Sequence, residues 1–278
     1  MRPLMELTTS EIVLLVLLML GTGASAGLLA GLLGVGGGIV IVPILFLVFD
    51  ALDFPASVAM HVAVATSLAT IVPTSMASAR AHRAGGNLDE AMFSRWAPFI
   101  ALGAAIGGLL AGALGATGLK LVFGTVALLV AINMAWPDRP SAGARLPGGT
   151  LAQGGIAGGI GLFSALMGIG GGSLSVPTLT MFSVPTHRAV GTAAAFGFVI
   201  AVPAVLGFVW SGWAVPGRPP GSLGYVNLIA AAAIFPMAML LAPFGARLAQ
   251  ALPAKRLRLA FAFFLGITAL RMLWSVFA

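Results

Sequence analysis

Two stretches of this sequence contain glycines whose backbone amides could bind a ligand. Residues 31–45 read GLLGVGGGIVIVPIL and residues 161–179 read GLFSALMGIGGGSLSVPTL, so both contain G-x-G-G-G, four further residues and then a proline. Glycine and proline cost about 1 and 3 kcal/mol relative to alanine inside a helix, so each G-x-G-G-G predicts a turn before a short helix. The free N–H groups at such a helix start carry partial positive charge and bind anions. The chemistry we expect is anion binding by neutral donors.

The glycines expected to bind the substrate share the two G-x-G-G-G patterns. They are Gly34, Gly36, Gly37 and Gly38 in the first stretch and Gly168, Gly170, Gly171 and Gly172 in the second. The prolines that follow, Pro43 and Pro177, are expected to kink the short helices or to stand in their first turn. The alternative is that the glycines only let neighbouring helices pack closely, but the duplication of the whole pattern favours substrate binding.

Hydroxyl groups and histidines are the other candidates. Substrate donors are expected at Thr66, Ser67, Thr192 and Ser173, with Ser175 as a further hydroxyl. Thr66 and Thr192 are equally compatible with a bond to a carbonyl of their own helix. His61 and His187 occupy matching places near helix starts, where a histidine could cap the helix or have a proton or substrate role.

The acidic residues argue against cation coupling through a buried carboxylate. All seven lie at the N-terminus or at the ends of apolar segments: Glu6, Glu11, Asp50, Asp53, Asp89, Glu90 and Asp138. The sequence also lacks a paired-carboxylate cluster, metal-ligand spacing, a G-x-S-x-G motif and a Walker A motif. It therefore predicts neither an enzyme nor a bound metal or cofactor.

The composition places these candidates in a lipid bilayer. Of 278 residues, 59% are hydrophobic and 8% are charged, and the mean hydropathy is +1.08. A soluble fold would lack the polar surface to cover such a chain. A net charge of +7 on a membrane protein indicates topology rather than nucleic-acid binding. The expected partners are a small anionic substrate and membrane lipid, with no nucleic acid, and the oligomeric state stays open.

The chain is an internal duplication. The glycine-rich stretches align at an offset of 134, and the two His-x-Ala-Val-x-Thr segments at 61 and 187 align at an offset of 126. A third block aligns Pro98, Gly107, Leu119, Phe123 and Met134 with Pro236, Gly245, Leu257, Phe261 and Met272, at an offset of 138. We expect residues 1–137 to form the first repeat, 138–149 an inter-repeat loop, and 150–278 the second repeat.

Segment lengths and positive charge predict the topology. The apolar segments lie near 12–33, 38–49, 57–80, 91–115 and 118–136, then near 150–168, 171–183, 186–211, 223–249 and 255–277. The second of each set, at about 12 residues, is too short to cross a 30 Å core. If it folds back as a hairpin, the fourteen basic residues divide ten to four between the two sides, whereas a broken crossing divides them eight to six. The hairpin leaves three crossings per half, so the repeats are inverted and both termini lie outside the cytoplasm.

The predicted fold is an all-α polytopic membrane protein. It has two inverted repeats, each a glycine-rich helical hairpin with a short half-helix plus three full transmembrane helices. The five tryptophans lie at segment ends and are expected to anchor the chain at the membrane interface.

The doubled stretches GLLAGLLGVGGGIVIVPIL and GLFSALMGIGGGSLSVPTL, each followed by H-x-A-V-[AG]-T, resemble the TauE/SafE sulfite exporter family. The resemblance spans nearly the whole chain in two copies. It implies a bacterial inner-membrane transporter that exports or takes up small sulfur-containing anions such as sulfite, sulfoacetate or other organosulfonates. The family's glycine-rich loops correspond to residues 34–38 and 168–172, and its Thr-Ser pair corresponds to Thr66 and Ser67. Ala193 after Thr192 departs from that pattern.

The residues predict a secondary transporter of small oxyanions, and the resemblance implies that these contain sulfur and, in the first instance, that they are exported. One repeat rocks against the other around a midplane site formed by the two G-x-G-G-G elements. The alternatives are a passive anion channel and a non-transporting membrane assembly or sensor subunit. The sequence leaves open which anion is carried, in which direction, and with which coupling ion.

Overall fold

A computed structural model describes residues 9–33, 37–52, 54–135, 146–251 and 254–277 of the chain. These residues form nine helices and one β-hairpin, whose two strands have two residues each. The helices are α1 (Thr9–Leu33), α2 (Gly38–Ala51), α3 (Ala56–Ala84), α4 (Glu90–Ala135), α5 (Thr150–Met167), α6 (Gly172–Met181), α7 (Thr186–Ser211), α8 (Leu228–Ala251) and α9 (Ala254–Phe277). Strands β1 (Ser222–Leu223) and β2 (Val226–Asn227) pair antiparallel between α7 and α8. Most of the expected inter-repeat loop, and the expected boundary at 137, lie outside the described residues.

The fourth helix is two helices joined at a glycine. Gly115 has φ 64° and ψ 171°, a conformation that excludes most side chains, and it divides α4 into α4a (90–114) and α4b (116–135). The sequence predicts separate segments near 91–115 and 118–136, which the break at Gly115 confirms.

Two helices are too short to cross a bilayer. Helices α2 and α6 have 14 and 10 residues, so at 1.5 Å per residue they span about 21 and 15 Å, well below the 30 Å of a hydrocarbon core. Pro43 and Pro177 lie inside these helices, beyond the first turn. Of the two expected positions for these prolines, the structure shows the interior one.

Five of the remaining helices have the length and composition of membrane spans. Among the described residues, five helical stretches are long and apolar enough to cross a membrane: Ala56–Ala84, Glu90–Ala135, Thr150–Met167, Thr186–Ser211 and Leu228–Gly245. Leu102, Leu129 and Leu206, on two of these stretches, are exposed, as lipid-facing residues must be. The protein is an all-α polytopic membrane protein, as the sequence predicts.

Helices of the first half of the chain pack mainly against helices of the second half. Helix α1 packs against α8, α5 packs against α4, and α3 packs against α7 between them. A Cβ at Gly27 of α1 would overlap the carbonyl oxygen of Ala238 of α8, and a Cβ at Gly161 of α5 would overlap that of Ile100 of α4. These two contacts join equivalent positions, since Gly27 aligns with Gly161 and Ile100 aligns with Ala238. Each glycine lets two helix backbones touch, which is how membrane helices associate.

A second pair of contacts repeats the same relation. A Cβ at Gly107 of α4 would lie 2.7 Å from the carbonyl oxygen of Leu162, and one at Gly245 of α8 would overlap the carbonyl oxygen of Leu28. Gly107 aligns with Gly245 and Leu28 aligns with Leu162. Equivalent helices of the two halves therefore meet at equivalent residues.

The expectation that every tryptophan anchors the chain at the interface is wrong for Trp96. Its side chain is fully buried, its indole N–H donates to Gln153 Oε1 at 3.3 Å, and its ring stacks on Phe196. Trp96 ties α4 to α5 and α7 because a buried indole N–H needs an acceptor, which α5 supplies. Trp210, Trp213 and Trp274 are exposed, as expected.

The close glycine contacts give a stability prediction. The substitution G161A places a methyl group against the Ile100 carbonyl and should lower the free energy of unfolding by about 1–3 kcal/mol. Gly159, also on α5, is the matched control, because a Cβ there meets nothing within 4 Å. Thermal unfolding in detergent measures both variants. Equal melting temperatures for G161A and G159A would contradict the packing described.

Candidate functional site

The second glycine-rich loop begins with a left-handed glycine that ends α5. Gly168 has φ 68° and ψ 28°, the amide of Ile169 donates to Ser164 O at 3.0 Å, and the amide of Gly168 donates to Ala165 O at 3.2 Å. This is the Schellman arrangement, which glycine adopts without steric cost. The first glycine of this G-x-G-G-G therefore stops the helix inside the protein.

The last glycines of this loop start α6. Gly171 precedes the helix without a side-chain cap, and the amide of Ser175 donates to Gly171 O at 3.0 Å. A Cβ at Gly171 would overlap the carbonyl oxygen of Ala193 and would lie 2.8 Å from the amide nitrogen of Gly197. The loop therefore rests directly on the backbone of α7, and Gly170, Gly171, Gly172 and Ser173 are all buried.

The first glycine-rich loop is described from Gly37 onward, and the candidates Gly34 and Gly36 lie outside the described residues. Gly37 precedes α2 without a side-chain cap, and its carbonyl accepts the amides of Val40 and Ile41, both at 3.1 Å. A Cβ at Gly37 would lie 3.1 Å from the Ala26 carbonyl oxygen of α1. As in the second loop, glycine allows a close approach to a neighbouring helix.

The two loops meet in the interior. A Cβ at Gly38 would overlap the carbonyl oxygen of Gly168, so the start of α2 touches the end of α5. Ser67 of α3 donates its hydroxyl hydrogen to Gly168 O at 2.7 Å, and Ser67 Oγ lies 3.5 Å from Gly38 O. Three predicted site residues far apart in sequence, Gly38, Ser67 and Gly168, are therefore in contact and buried.

The two threonines make matching bonds to the opposite half of the chain. The amide of Asn227 donates to Thr66 Oγ1 at 2.9 Å, and the amide of Asp89 donates to Thr192 Oγ1 at 3.0 Å. Asp89 aligns with Asn227 at the offset of 138, so the two bonds are equivalent. Both threonines are fully buried. Each hydroxyl oxygen accepts the amide of a distant helix start, a contact that neither sequence-based alternative includes and that leaves the hydroxyl hydrogen to donate.

The residues that donate to the threonines are the N-caps of α4 and α8. Asp89 Oδ1 accepts the amide of Met92 at 2.9 Å, and Asn227 Oδ1 accepts the amide of Ala230 at 2.8 Å. Each cap thus orders a helix start with its side chain and fastens it to α3 or α7 with its amide. Asp89 also pairs with Arg188 at 3.6 Å, a charged contact outside the core.

The two matched histidines have different surroundings. His61 is 2% exposed, its Nε2 lies 3.0 Å from the carbonyl oxygen of Ala111, one turn before the break in α4, and its ring stacks on Tyr225 at 4.6 Å between centroids. Because a carbonyl only accepts, Nε2 carries the hydrogen. Burial raises the pKa of Tyr225 above its ordinary value against an opposing effect of Arg218, so the phenol is neutral. His187 is exposed at the first turn of α7.

The hydroxyl of Ser164 is one of the buried hydroxyls that sequence reasoning missed. It lies one turn before Gly168 on α5, is fully buried, and has no hydrogen-bond partner for its Oγ among the described residues. Ser175 Oγ on α6 shares both properties. The alignment of the two repeats could have indicated Ser164, because it replaces an alanine, Ala30, at a position where the surrounding glycines are the same in both repeats.

The site consists of neutral groups. Ion pairs between described residues, Arg83 with Glu90 and Arg188 with Asp89, lie at the turn between α3 and α4. Within the described ranges, no group of three or more His, Asp or Glu side chains could hold a metal ion. Backbone amides and hydroxyls are what these loops offer to a ligand.

The bond between Ser67 and Gly168 gives the next prediction. The substitution S67A leaves the buried Gly168 carbonyl without this donor and should lower the free energy of unfolding by about 1–2 kcal/mol. T70V on the same helix is the control, because the Thr70 hydroxyl bonds to Ser67 O within α3. Thermal unfolding in detergent compares them. If S67A melts at the temperature of T70V or above, the hydroxyl does not hold the loops together.

Comparisons with known proteins agree with this architecture. The family model for the sulfite exporter TauE/SafE matches residues 19–272. A probable membrane transporter protein of Haemophilus influenzae is 36% identical over 260 residues, which cover 92% of this chain and 97% of that protein. A probable membrane transporter protein of Methanocaldococcus jannaschii is 29% identical over 280 residues, which cover 95% of this chain and 97% of that protein. No solved structure matches. The chain belongs to the TauE/SafE sulfite exporter family of membrane transporters.

Proposed function

We propose that this protein is a secondary transporter that exports small sulfur-containing oxyanions such as sulfite or organosulfonates. The observation that supports this most directly is the contact between the two glycine-rich loops, Gly38 against Gly168, with the Ser67 hydroxyl bonded at the same place. Interrupted helices that meet at the interface of two repeats are the usual substrate sites of secondary transporters. The family membership supplies the class of anion.

Neutral donors suit reversible binding of an anion. The starts of α2 and α6 have no side-chain cap and carry the positive ends of helix dipoles, so they attract an oxyanion without a buried cation. A fully buried salt bridge would hold the substrate too tightly for release or would cost more desolvation than it returns. The candidate ligands are therefore the loop amides of both hairpins, with hydroxyls such as Ser67 and Ser173 beside them.

An inverted repeat would let these loops open to either side in turn. The paired helix contacts and the matching threonine bonds, Thr66 with Asn227 and Thr192 with Asp89, support a two-fold relation between the halves. Since the hairpins touch here, the substrate enters only when they separate. In this proposal one repeat rocks against the other. Thr66 fastens α3, and Thr192 fastens α7, to the opposite repeat.

The proposed orientation follows from charge. The turn between α3 and α4 is flanked by Arg80, Arg83 and Arg95, whereas the connection from α7 to α8 contains Arg218 alone. The positive-inside rule places the first turn in the cytoplasm and both termini outside it. The membrane is the bacterial inner membrane in this proposal.

Flux in proteoliposomes tests the function. Purified protein should carry radiolabelled sulfite with saturation, and sulfoacetate should compete better than chloride, with empty liposomes as the control. Flux that rises without saturation would instead indicate an anion channel. Absence of flux under every gradient would indicate a non-transporting subunit.

The loop contact predicts a variant that folds but does not transport. In G38A a methyl group separates the start of α2 from the Gly168 carbonyl, so the hairpins cannot close and sulfite flux should fall at least about tenfold. G21A on α1 is the control, because a Cβ there meets nothing within 4 Å. Size-exclusion profiles establish that both variants are folded. Normal flux through folded G38A would remove the loop contact from the mechanism.

A further inference from the structure

Two serine hydroxyls on the second hairpin are buried without a partner. Ser164 on α5 and Ser175 on α6 are both fully buried, and the Oγ of each lacks a hydrogen bond to any described residue. A buried hydroxyl left unpaired costs about 1–3 kcal/mol, and native proteins keep few of them. Such a cost is tolerated where a ligand completes the hydrogen bond.

Both hydroxyls belong to the arms that flank the glycine loop. Ser175 is the fourth residue of the ten-residue helix α6, and helical side chains lean toward the N-terminus of their helix. Its Cα–Cβ bond therefore points toward the first turn, where the amides of Gly172 and Ser173 have no i−4 carbonyl to bond within the helix. Ser164 lies one turn before Gly168 on the facing arm, and its own carbonyl fixes the loop through the amide of Ile169.

Each hydroxyl at the second loop aligns with an apolar residue in the other repeat. Four buried hydroxyls lie on helices next to the second loop: one on α3, which bonds to Gly168 O, one on α5 and two on α6. The aligned pairs are Ser67 with Ala193, Ser164 with Ala30, Ser173 with Ile39, and Ser175 with Ile41. Ile39 and Ile41 are both buried on α2. The backbone fold is duplicated, but these hydroxyl groups lie at the second glycine-rich loop and not at the first.

We propose that the anion is held by the second hairpin alone, through the Ser164 and Ser175 hydroxyls and the first amides of α6. The first hairpin is an apolar wall that closes over it. This inference rests on the proposed transport function, but it narrows the ligands from the amides of both hairpins to those of the second hairpin and so assigns the specificity. Sulfite and a sulfonate group each present three oxygens on one face of sulfur, with a lone pair or carbon opposite. Sulfate presents a fourth oxygen, which would face the apolar wall without a donor, so this site discriminates against sulfate.

Anion-dependent stability and transport test the assignment. Melting temperatures in detergent are measured for wild type, S164A and S175A with increasing sulfite, sulfoacetate and sulfate, together with sulfite flux in proteoliposomes. T178V is the matched control, because the Thr178 hydroxyl on the same helix bonds to Leu174 O. Wild type should bind sulfite at least about tenfold more tightly than sulfate, and each alanine variant should bind sulfite about tenfold more weakly.

Melting without anion separates a binding role from a structural one. Since neither hydroxyl bonds to a described residue, S164A and S175A should melt without added anion at the wild-type temperature or above it, while losing sulfite affinity. T178V should keep wild-type affinity. A structural role would lower the melting temperature without anion and would overturn the inference.

The remaining outcomes distinguish the two proposals. If wild type transports sulfite but S164A and S175A keep wild-type affinity, the one-sided site is wrong and the transport function stands. Equal affinity of wild type for sulfate and sulfite also overturns the one-sided site. If wild type neither binds nor carries any of the three anions, both the transport function and the site are wrong.

Discussion

The fold depends on the need to satisfy backbone polar groups within an apolar environment. Helices α5 and α6 are interrupted inside the protein, where a free carbonyl or amide has no water to bond. Gly168 satisfies these groups in two ways. Its left-handed conformation lets the loop amides bond back to α5, and its own carbonyl accepts the Ser67 hydroxyl. Gly38 then fits against the same carbonyl because it has no Cβ. An interruption that would be costly elsewhere is therefore stable here.

Hydrogen bonds to backbone amides also fasten the two halves of the chain to each other. Thr66 and Thr192 each receive the amide of an N-cap residue from the opposite half, and those caps, Asn227 and Asp89, order the starts of α8 and α4. A helix start and its attachment to a central helix are therefore set by one residue. Asp89 carries a charge that reaches Arg188, whereas Asn227 is neutral, so the two attachments share a geometry but not an electrostatic character.

The sequence predicts the helices well because long apolar segments and glycine-proline breaks are local signals. The break at Gly115 and the short helices α2 and α6 lie where these signals place them. Partners across the chain are not local. Nothing in the residues around Thr66 indicates an amide 161 residues away, and the position of Trp96 at a segment end does not reveal that Gln153 completes a buried pair with it. Ser164 was missed for a related reason, since an apolar helix with one serine is ordinary until its hydroxyl proves to be unpaired.

The central claim is that one anion site is exposed to the two sides in turn. Counterflow tests it most directly: proteoliposomes loaded with unlabelled sulfite are diluted into a trace of radiolabelled sulfite, and uptake of the label is followed over time. The account predicts a transient accumulation of label above equilibrium, because the unlabelled anion leaving returns the site to the outside. If loaded vesicles accumulate no label although the same preparation conducts sulfite down its gradient, this result would contradict alternating access and indicate an open pore.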